Sequence, residues 1–234
     1  MSQFVLGRAK AQMVKAMEEY YNAIQVNVQF SGSHLKVITV TSVQPGEGKS
    51  TTSTNLAISF ANSGYRTLLI DADIRNSVMT GTFKAEEAYH GLTSYLSGHV
   101  DLTSVIHDTS VDNLYLIPAG QVPPNPTTLL QNTRFDAMIE QFRRQYDYVI
   151  IDTPPIGLVV DAAIVAQKTD GSILVTESGA ISRRFVKKAV EQMEQSGAQF
   201  LGVILNKVDT TKERYGSYGS YGAYGNYGKQ PDTD

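Results

Sequence analysis

The chain has 234 residues, a formal net charge of −3 and 41% hydrophobic residues, which suits one α/β domain with a buried core. The absence of cysteine excludes a disulfide framework and a thiolate metal site, and the slightly acidic balance gives no general attraction to nucleic acid or anionic lipid. The sequence has no apolar run of about 18 residues and no signal-peptide core, so we expect a cytoplasmic protein; if it works at a membrane, something else must hold it there.

Three regions follow one another along the chain. Residues 1–34 have apolar side chains at helical spacing and end in a Ser-Gly-Ser-His break, which predicts a helical segment that packs on the core or links to it. Residues 35–209 alternate short β-branched runs with helical stretches and form the predicted catalytic domain. The predicted strands are VITVTS (37–42), TLLIDAD (67–73), NLYLIPA (113–119), YVIIDT (148–153), GSILVTE (171–177) and FLGVILN (200–206).

The strand pattern predicts the fold class. Strands that are apolar throughout and separated by helices indicate a parallel sheet covered on both faces. Right-handed crossovers then give a doubly wound, mostly parallel α/β fold whose ligands bind beyond the carboxyl ends of the strands.

The first strand of this domain leads into a phosphate-binding loop and then a helical stretch. The loop residues are Pro45, Gly46, Glu47, Gly48, Lys49, Ser50 and Thr51. The glycines allow backbone N–H groups to point at a phosphate, Lys49 can reach the β- and γ-oxygens, and Ser50 can offer its hydroxyl to Mg²⁺. Val43 replaces the first glycine of the usual GxxxxGK[ST] motif. The order of strand, loop and helix predicts binding of ATP with Mg²⁺ in a P-loop NTPase fold of the deviant Walker, partitioning-ATPase-like type.

Two acidic strand ends accompany the loop. The run Val149–Asp152 has the Walker B pattern, an apolar strand that ends in a carboxylate able to hold Mg²⁺ through water. Asp71 and Asp73 lie at positions i and i+2 at the end of the strand expected beside the first one, so they share a face. One of them can help to hold Mg²⁺ while the other takes a proton from an incoming hydroxyl. For Arg75 a phosphate contact and a loop anchor remain equally open.

The last region, residues 210–234, has a different composition. Glycine follows each of five tyrosines spaced by three residues, which are Tyr215, Tyr218, Tyr221, Tyr224 and Tyr227. The segment has no aliphatic face to bury and carries the entropic cost of glycine, so we expect a disordered tail.

The three motifs in this order, followed by the tyrosine tail, resemble the bacterial tyrosine kinases of capsule and exopolysaccharide operons, closest to the Gram-positive branch with a separate membrane adaptor. The resemblance implies that Lys49 contacts the phosphates and that Ser50, Asp73 and Asp152 organise Mg²⁺. It suggests Asp71 as the acceptor of the tyrosine proton. The implied activity is transfer of the ATP γ-phosphoryl group to tail tyrosines in trans, which would regulate polysaccharide synthesis.

Two other functions remain open. A partitioning or positioning ATPase shares the fold, but such proteins carry a signature lysine where this chain has Gln44, and some end in a basic amphipathic helix. A net charge of −3 also gives little support for their nonspecific DNA binding, so we expect no nucleic-acid partner. The second alternative is a nucleotide-dependent scaffold with negligible catalysis.

The resemblance also implies partners. These are a membrane-anchored adaptor of the polysaccharide copolymerase type, a cognate phosphotyrosine phosphatase, and further copies of the chain, possibly in a ring. The family's helical Glu-x-x-Arg-x-x-Arg pattern corresponds here to Glu19–Gln25, with Asn22 and Gln25 in place of the arginines. Near the end of the domain, Asn206 begins an Asn-Lys-Val-Asp sequence and is expected to contact the adenine edge.

Overall fold

The computed structural model describes residues 3–209, whose strands form a nine-stranded sheet. The strands are β1 (Gln3–Leu6), β2 (Val37–Ser42), β3 (Thr67–Asp71), β4 (Phe83–Ala85), β5 (His107–Thr109), β6 (Leu114–Ile117), β7 (Tyr148–Asp152), β8 (Gly171–Glu177) and β9 (Gln199–Asn206). Their order is β4-β1-β5-β6-β3-β7-β2-β8-β9. All neighbours are parallel except β1 with β4 and β5 with β6. The predicted mostly parallel α/β fold is confirmed.

Helices cover both faces of this sheet. They are α1 (Arg8–Ala16), α2 (Glu18–Ser31), α3 (Lys49–Asn62), α4 (Leu92–Leu96), α5 (Pro126–Leu130), α6 (Thr133–Gln145), α7 (Asp161–Ala166) and α8 (Arg183–Glu194), with 3₁₀ turns at Met79–Gly81 and Leu102–Val105. Successive residues of β3 enter opposite cores, Leu68 with Phe142 of α6 and Leu69 with Phe60 of α3. Burial on both faces explains why the centre of this strand, residues 68–70, is apolar without alternation. In the described part of the chain, no helix is both long and apolar enough to cross a bilayer.

The strand that carries Asp71 does not lie beside the phosphate-loop strand, contrary to the sequence-based expectation. Strand β7 is inserted between β2 and β3 and pairs in parallel with both. Adjacency in sequence did not predict adjacency in the sheet, because a crossover helix can return the chain beyond the neighbouring position. The insertion places Asp71 directly opposite Asp152 in the β3–β7 register.

The prediction of a helical segment for residues 1–34 was wrong at its beginning. Gln3–Leu6 form strand β1, which pairs with β4 and β5, and helix starts only at Arg8. The burial of Phe4 explains why this segment joins the sheet as a strand. Its side chain is 1% exposed, and its ring contacts Tyr89 and His107 at centroid distances of 5.0 and 5.2 Å. Strands β1, β4 and β5 span three or four residues each, too short for a period-2 pattern to reveal them.

Helix α2 packs on α3 through polar as well as apolar side chains. The hydroxyl of Ser59 lies 2.7 Å from both Asn22 Oδ1 and Gln25 Oε1, and Ser63 donates to Gln25 Oε1 over 3.0 Å. The two residues that replace arginines of the family pattern therefore form contacts inside the chain.

Candidate functional site

The loop between β2 and α3 borders an open crevice of about 350 Å³ at the carboxyl end of the sheet. Gly46 and Gly48 have φ angles of 82° and 97°, in the left-handed region that favours glycine. A Cβ at Gly48 would lie 2.1 Å from Asn206 Nδ2, whereas one at Gly46 would meet nothing within 4 Å. Lys49 is the first residue of α3, so the positive end of that helix faces the crevice. Pro45, Ser50 and Thr51 also line it.

Three oxygens converge on the ammonium group of Lys49. Its Nζ lies 2.9 Å from Asp73 Oδ2, 3.6 Å from Asp152 Oδ2 and 3.1 Å from Ser50 Oγ. Ser53, one helical turn after Lys49, donates to Asp152 Oδ1 over 3.0 Å. Lys49, Asp71, Asp73 and Asp152 are called the carboxylate cluster below.

Burial and mutual repulsion control the protonation of this cluster. Burial by itself lowers the pKa of Lys49, but the carboxylates of Asp152 and Asp73 outweigh it, so the pKa is raised. Burial raises the pKa of Asp152, although Lys49 and the hydroxyls of Ser50 and Ser53 oppose the rise. A lysine that stays charged between carboxylates keeps the cluster compact without a nucleotide.

Asp71 lies behind the wall of the crevice rather than on its surface. It is 1% exposed, accepts a hydrogen bond from the Ser77 hydroxyl, and accepts one from the Asp73 backbone N–H over 3.2 Å. Burial, followed by the charge of Asp152, raises the pKa of Asp71 to about 8, while the Ser77 hydrogen bond opposes the rise. A buried carboxylate with such a pKa can serve as a proton acceptor.

The side chain of Arg75 is engaged as an anchor. Its Nε lies 2.6 Å from Asp161 Oδ2, and its Nη2 contacts Asp161 Oδ1 at 3.2 Å and Thr127 Oγ1 at 2.8 Å. Asp161 is fully buried, and this ion pair is the largest cause of the raised pKa of Arg75. In this conformation Arg75 ties the segment after β3 to α7 and α5.

The opposite side of the loop is held by Glu47. Its buried carboxylate accepts hydrogen bonds from Gln44 N at 2.6 Å, Thr176 Oγ1 at 2.8 Å and Glu177 N at 3.1 Å. Asn206 donates to the Glu47 carbonyl over 2.9 Å. These residues, together with Lys207, are called the Glu47 network below.

Lys207 also belongs to this support. Its Nζ lies 2.8 Å from the Gly46 carbonyl and 2.7 Å from Glu177 Oε2, and its φ of 55° is unusual for a residue other than glycine. Asn206 and Lys207 thus bind the backbone of the phosphate loop, and neither residue lines the crevice.

The structure brings together most residues that the sequence selected and adds several others. Sequence reasoning missed Ser53, Ser77, Asp161 and Lys207, which contact Asp152, Asp71, Arg75 and Gly46. Only Ser53 had a usable signal, because it follows Lys49 by four residues and so lies on the same helical face. The predicted phospho-acceptors Tyr215 to Tyr227 lie outside the described residues.

The oxygens around Lys49 have the chemistry of a magnesium site. Mg²⁺ prefers oxygen ligands, and in nucleotide sites it is held by one or two carboxylates together with phosphates and water. Ser50, Asp73 and Asp152 could supply such ligands because their oxygens already surround one positive charge within 3.6 Å. The N–H groups at the start of α3 and the loop glycines could hold the phosphates. The residues therefore fit Mg·ATP.

Comparisons with known proteins agree with this geometry. A family described as an AAA domain matches residues 35–199. The tyrosine-protein kinase CpsD of Streptococcus agalactiae serotype III (strain NEM316) is 60% identical over 208 residues, covering 89% of this chain and 90% of that protein. The kinase domain of the Escherichia coli tyrosine kinase ETK superposes with a TM-score of 0.80 at 34% identity, over 86% of this chain and 80% of the other.

A more distant structure shares the fold alone. The septum site-determining protein MinD of Pyrococcus horikoshii OT3, complexed with Mg-ADP, has a TM-score of 0.63 at 24% identity, over 73% of this chain and 70% of the other.

Proposed function

Because the chain belongs to the bacterial tyrosine kinase family, in the Gram-positive capsule-operon branch, and is a protein-tyrosine kinase that uses ATP and Mg²⁺, we propose its substrates and the roles of its residues. The chain transfers the ATP γ-phosphoryl group to tyrosines of the segment Tyr215–Tyr227, mostly in trans between copies. This modification regulates the synthesis of a capsule or exopolysaccharide. The observation that carries the proposal is the convergence of Ser50, Asp73 and Asp152 on Lys49, beside the buried Asp71.

In this proposal Lys49 turns from the carboxylates to the β- and γ-phosphate oxygens. Ser50, Asp73 and Asp152 would hold Mg²⁺, which would supply charge neutralisation at the phosphates. Such a division of roles suits phosphoryl transfer, in which positioning and charge neutralisation supply most of the catalysis.

Asp71 accepts the proton of the tyrosine hydroxyl. The hydroxyl oxygen forms a bond to the γ-phosphorus, the bond from that phosphorus to the bridging oxygen of ADP breaks, and ADP leaves. Because the Ser77 hydroxyl covers Asp71 in the structure, this role requires Ser77 to move aside or to pass the proton on. Asn206, which supports the loop backbone, is proposed to contact the adenine edge as well.

The partners of the chain are part of the same proposal. A membrane-anchored adaptor of the polysaccharide copolymerase type recruits the chain to the inner face of the cell membrane and activates it. A phosphotyrosine phosphatase reverses the modification, and copies of the chain associate, possibly in a ring. Asn22 and Gln25 stand where the family has arginines, and both contact α3 of their own chain. Any ring must therefore use other contacts between copies.

The test is incubation with Mg·ATP, with and without the cytoplasmic segment of the adaptor, followed by intact-mass measurement and peptide mapping. Phosphate on Tyr215 to Tyr227, absent from a Lys49→Met control, is the expected result. ATP hydrolysis without phosphotyrosine, even with the adaptor segment, would instead support the positioning ATPase. The septum site-determining protein MinD shares only its fold with this chain.

A further inference from the structure

Two large apolar side chains stand exposed at the mouth of the phosphate crevice. Val78 is 56% exposed and Leu158 is 63% exposed, and both line the crevice that also contains Lys49 and Asp73. Val159, beside Leu158, lines the same wall. This apolar rim, defined as Val78, Leu158 and Val159, adjoins the glycines, charged groups and hydroxyls of the phosphate loop, and three prolines (Pro45, Pro154 and Pro155) also line the crevice.

The phosphate-binding groups do not account for the apolar rim. Phosphates are bound by N–H groups and cations, which the loop and Lys49 supply. The predicted base contact, Asn206, lies on the other side of the loop, where it bonds the Glu47 carbonyl and does not line the crevice. Exposed apolar groups beside a binding site are expected to contact an apolar part of some ligand.

The apolar rim also lies close to the proton acceptor. Val78 directly follows Ser77, whose hydroxyl bonds Asp71 after β3. Leu158 lies in the turn after β7, where its N–H donates to the Pro155 carbonyl over 3.1 Å. Since β3 and β7 are neighbours and pair Asp71 with Asp152, the two apolar residues lie in the segments that follow the same two strands as the carboxylates.

We propose that Val78 and Leu158 bind the aromatic ring of the acceptor tyrosine, supplied by the segment Tyr215–Tyr227 of a second copy of the chain. This inference rests on the proposed kinase function and adds its specificity determinant. Tyrosine has an apolar ring and a polar tip, so the ring can contact the rim while the hydroxyl enters the crevice. The hydroxyl of serine or threonine lies much closer to the backbone and would remain at the rim.

The composition of the tail agrees with this occupant. From Tyr215 to Gly228 the sequence contains no charged residue, so it brings no unpaired charge to an apolar surface and adds no repulsion to the carboxylate cluster. Its glycines remove side-chain bulk on either side of each ring. Phosphorylation adds about −1.5 to −2 charges to a tyrosine, which would favour release of the product from a site lined by carboxylates.

The experiment measures acceptor kinetics with full-length chains. The enzyme carries serine at the five tail positions, and the acceptor is the inactive Lys49→Met chain with its tail intact, so phosphate on the acceptor reports transfer between copies. Initial rates against acceptor concentration are compared for Val78→Ala, Leu158→Ala and the double variant. Val122→Ala is the matched control, because Val122 is 69% exposed but does not line the crevice.

The double variant is expected to raise the KM for the acceptor on the order of tenfold, a much larger rise than in the KM for ATP. Val78→Ile and Leu158→Met should keep the acceptor KM near that of the unmodified chain, whereas a purely structural effect would impair the kinetics for acceptor and for ATP together. An unchanged acceptor KM, or an equal rise in the KM for ATP, overturns the inference while leaving the kinase intact. If the variants instead change self-association enough to explain the slower transfer, the apolar rim is an interface between copies. That result also overturns the inference.

Absence of phosphotyrosine from the unmodified chain in the mapping experiment is a separate result. It would refute the proposed transfer to the tyrosines of the segment Tyr215–Tyr227.

Discussion

The phosphate loop is held between two groups of residues that use polar side chains in opposite ways. The carboxylate cluster buries three acids around one lysine, and repulsion and burial raise the pKa of Asp71 to about 8. In the Glu47 network, one buried acid receives hydrogen bonds from Gln44, Thr176 and Glu177, without another carboxylate competing for its donors. Both groups hold the same loop. Only the carboxylate cluster contains repulsion between like charges, which a bound cation or a transferred proton could reduce.

The difference indicates a division between chemistry and support. A buried acid that accepts several hydrogen bonds is held in one position, so Glu47 gives the loop a rigid support. Acids crowded together are destabilising in the free protein and can accept Mg²⁺ or a proton. The following predictions test whether the two groups behave in these two ways.

The largest expected effect comes from Lys49→Met. Loss of the cation that faces the phosphates should lower tyrosine phosphorylation by at least about 10²-fold to 10³-fold. The matched substitution in the Glu47 network, Lys207→Met, should retain most of the activity, because that lysine contacts a carbonyl of the loop rather than the crevice. Quantitative phosphotyrosine mapping of both variants checks this, and similar losses for the two lysines would contradict the division.

Asp71→Asn should reduce phosphorylation by about 10²-fold to 10⁴-fold, the usual contribution of a general base. The same change should stabilise the free chain. The pKa of Asp71 rises from an ordinary 3.8 to about 8 on folding, so the folded chain binds more protons between these values. Ionisation of Asp71 therefore lowers stability progressively as pH rises from about 4 to 8, and the loss is complete above pH 8.

Thermal unfolding without nucleotide or Mg²⁺ measures this effect. The Tm of the Asp71→Asn variant should exceed that of the unmodified chain by several degrees at pH 9 and by less at pH 5. A variant that loses stability at alkaline pH would show that Asp71 supports the fold as Glu47 does.

Arg75→Ala tests an ion pair next to the carboxylate cluster, in which one arginine neutralises one aspartate. It leaves the buried Asp161 with only the Thr127 hydroxyl, 2.8 Å away. Because the arginine side chain is 35% exposed, the expected loss of stability is about 1–3 kcal/mol, below the range for a fully buried pair. Urea unfolding measures it. The Arg75→Ala/Asp161→Asn double variant should recover part of the loss.

The smallest effect on the reaction is expected from Glu47→Gln. The amide keeps the shape of the carboxylate but places an NH₂ group against one of its donors, which should cost about 1–3 kcal/mol of stability. The KM for ATP should rise severalfold with little change in kcat, because the loop loosens while the carboxylate cluster remains. Steady-state kinetics and unfolding of the same preparation separate the two parameters. A large fall in kcat with an unchanged KM would place Glu47 in the chemistry instead.

The sequence predicted the central strands and selected the residues that meet around Lys49. It predicted less of the strands toward one edge of the sheet. Strands β2 and β8 match their predicted bounds, and both are buried over nearly their whole length around an apolar, β-branched centre. The short strands β1, β4 and β5 were not predicted, and the expected adjacency of β2 and β3 was wrong. Local pattern reports burial along a segment, whereas the order of strands depends on crossovers between distant segments.

The sequence by itself predicted that this chain binds ATP and Mg²⁺ at a glycine-rich loop, because the loop motif, the acidic strand ends and their order require only neighbouring residues. Only the tertiary structure decided how those residues share charge. It inserted β7 between β2 and β3, which set Asp71 opposite Asp152, and it tied Arg75 to Asp161 and Asn206 to the Glu47 carbonyl. These contacts join residues 86 and 159 positions apart, and both burial and charge repulsion depend on such distances in space rather than on spacing along the chain.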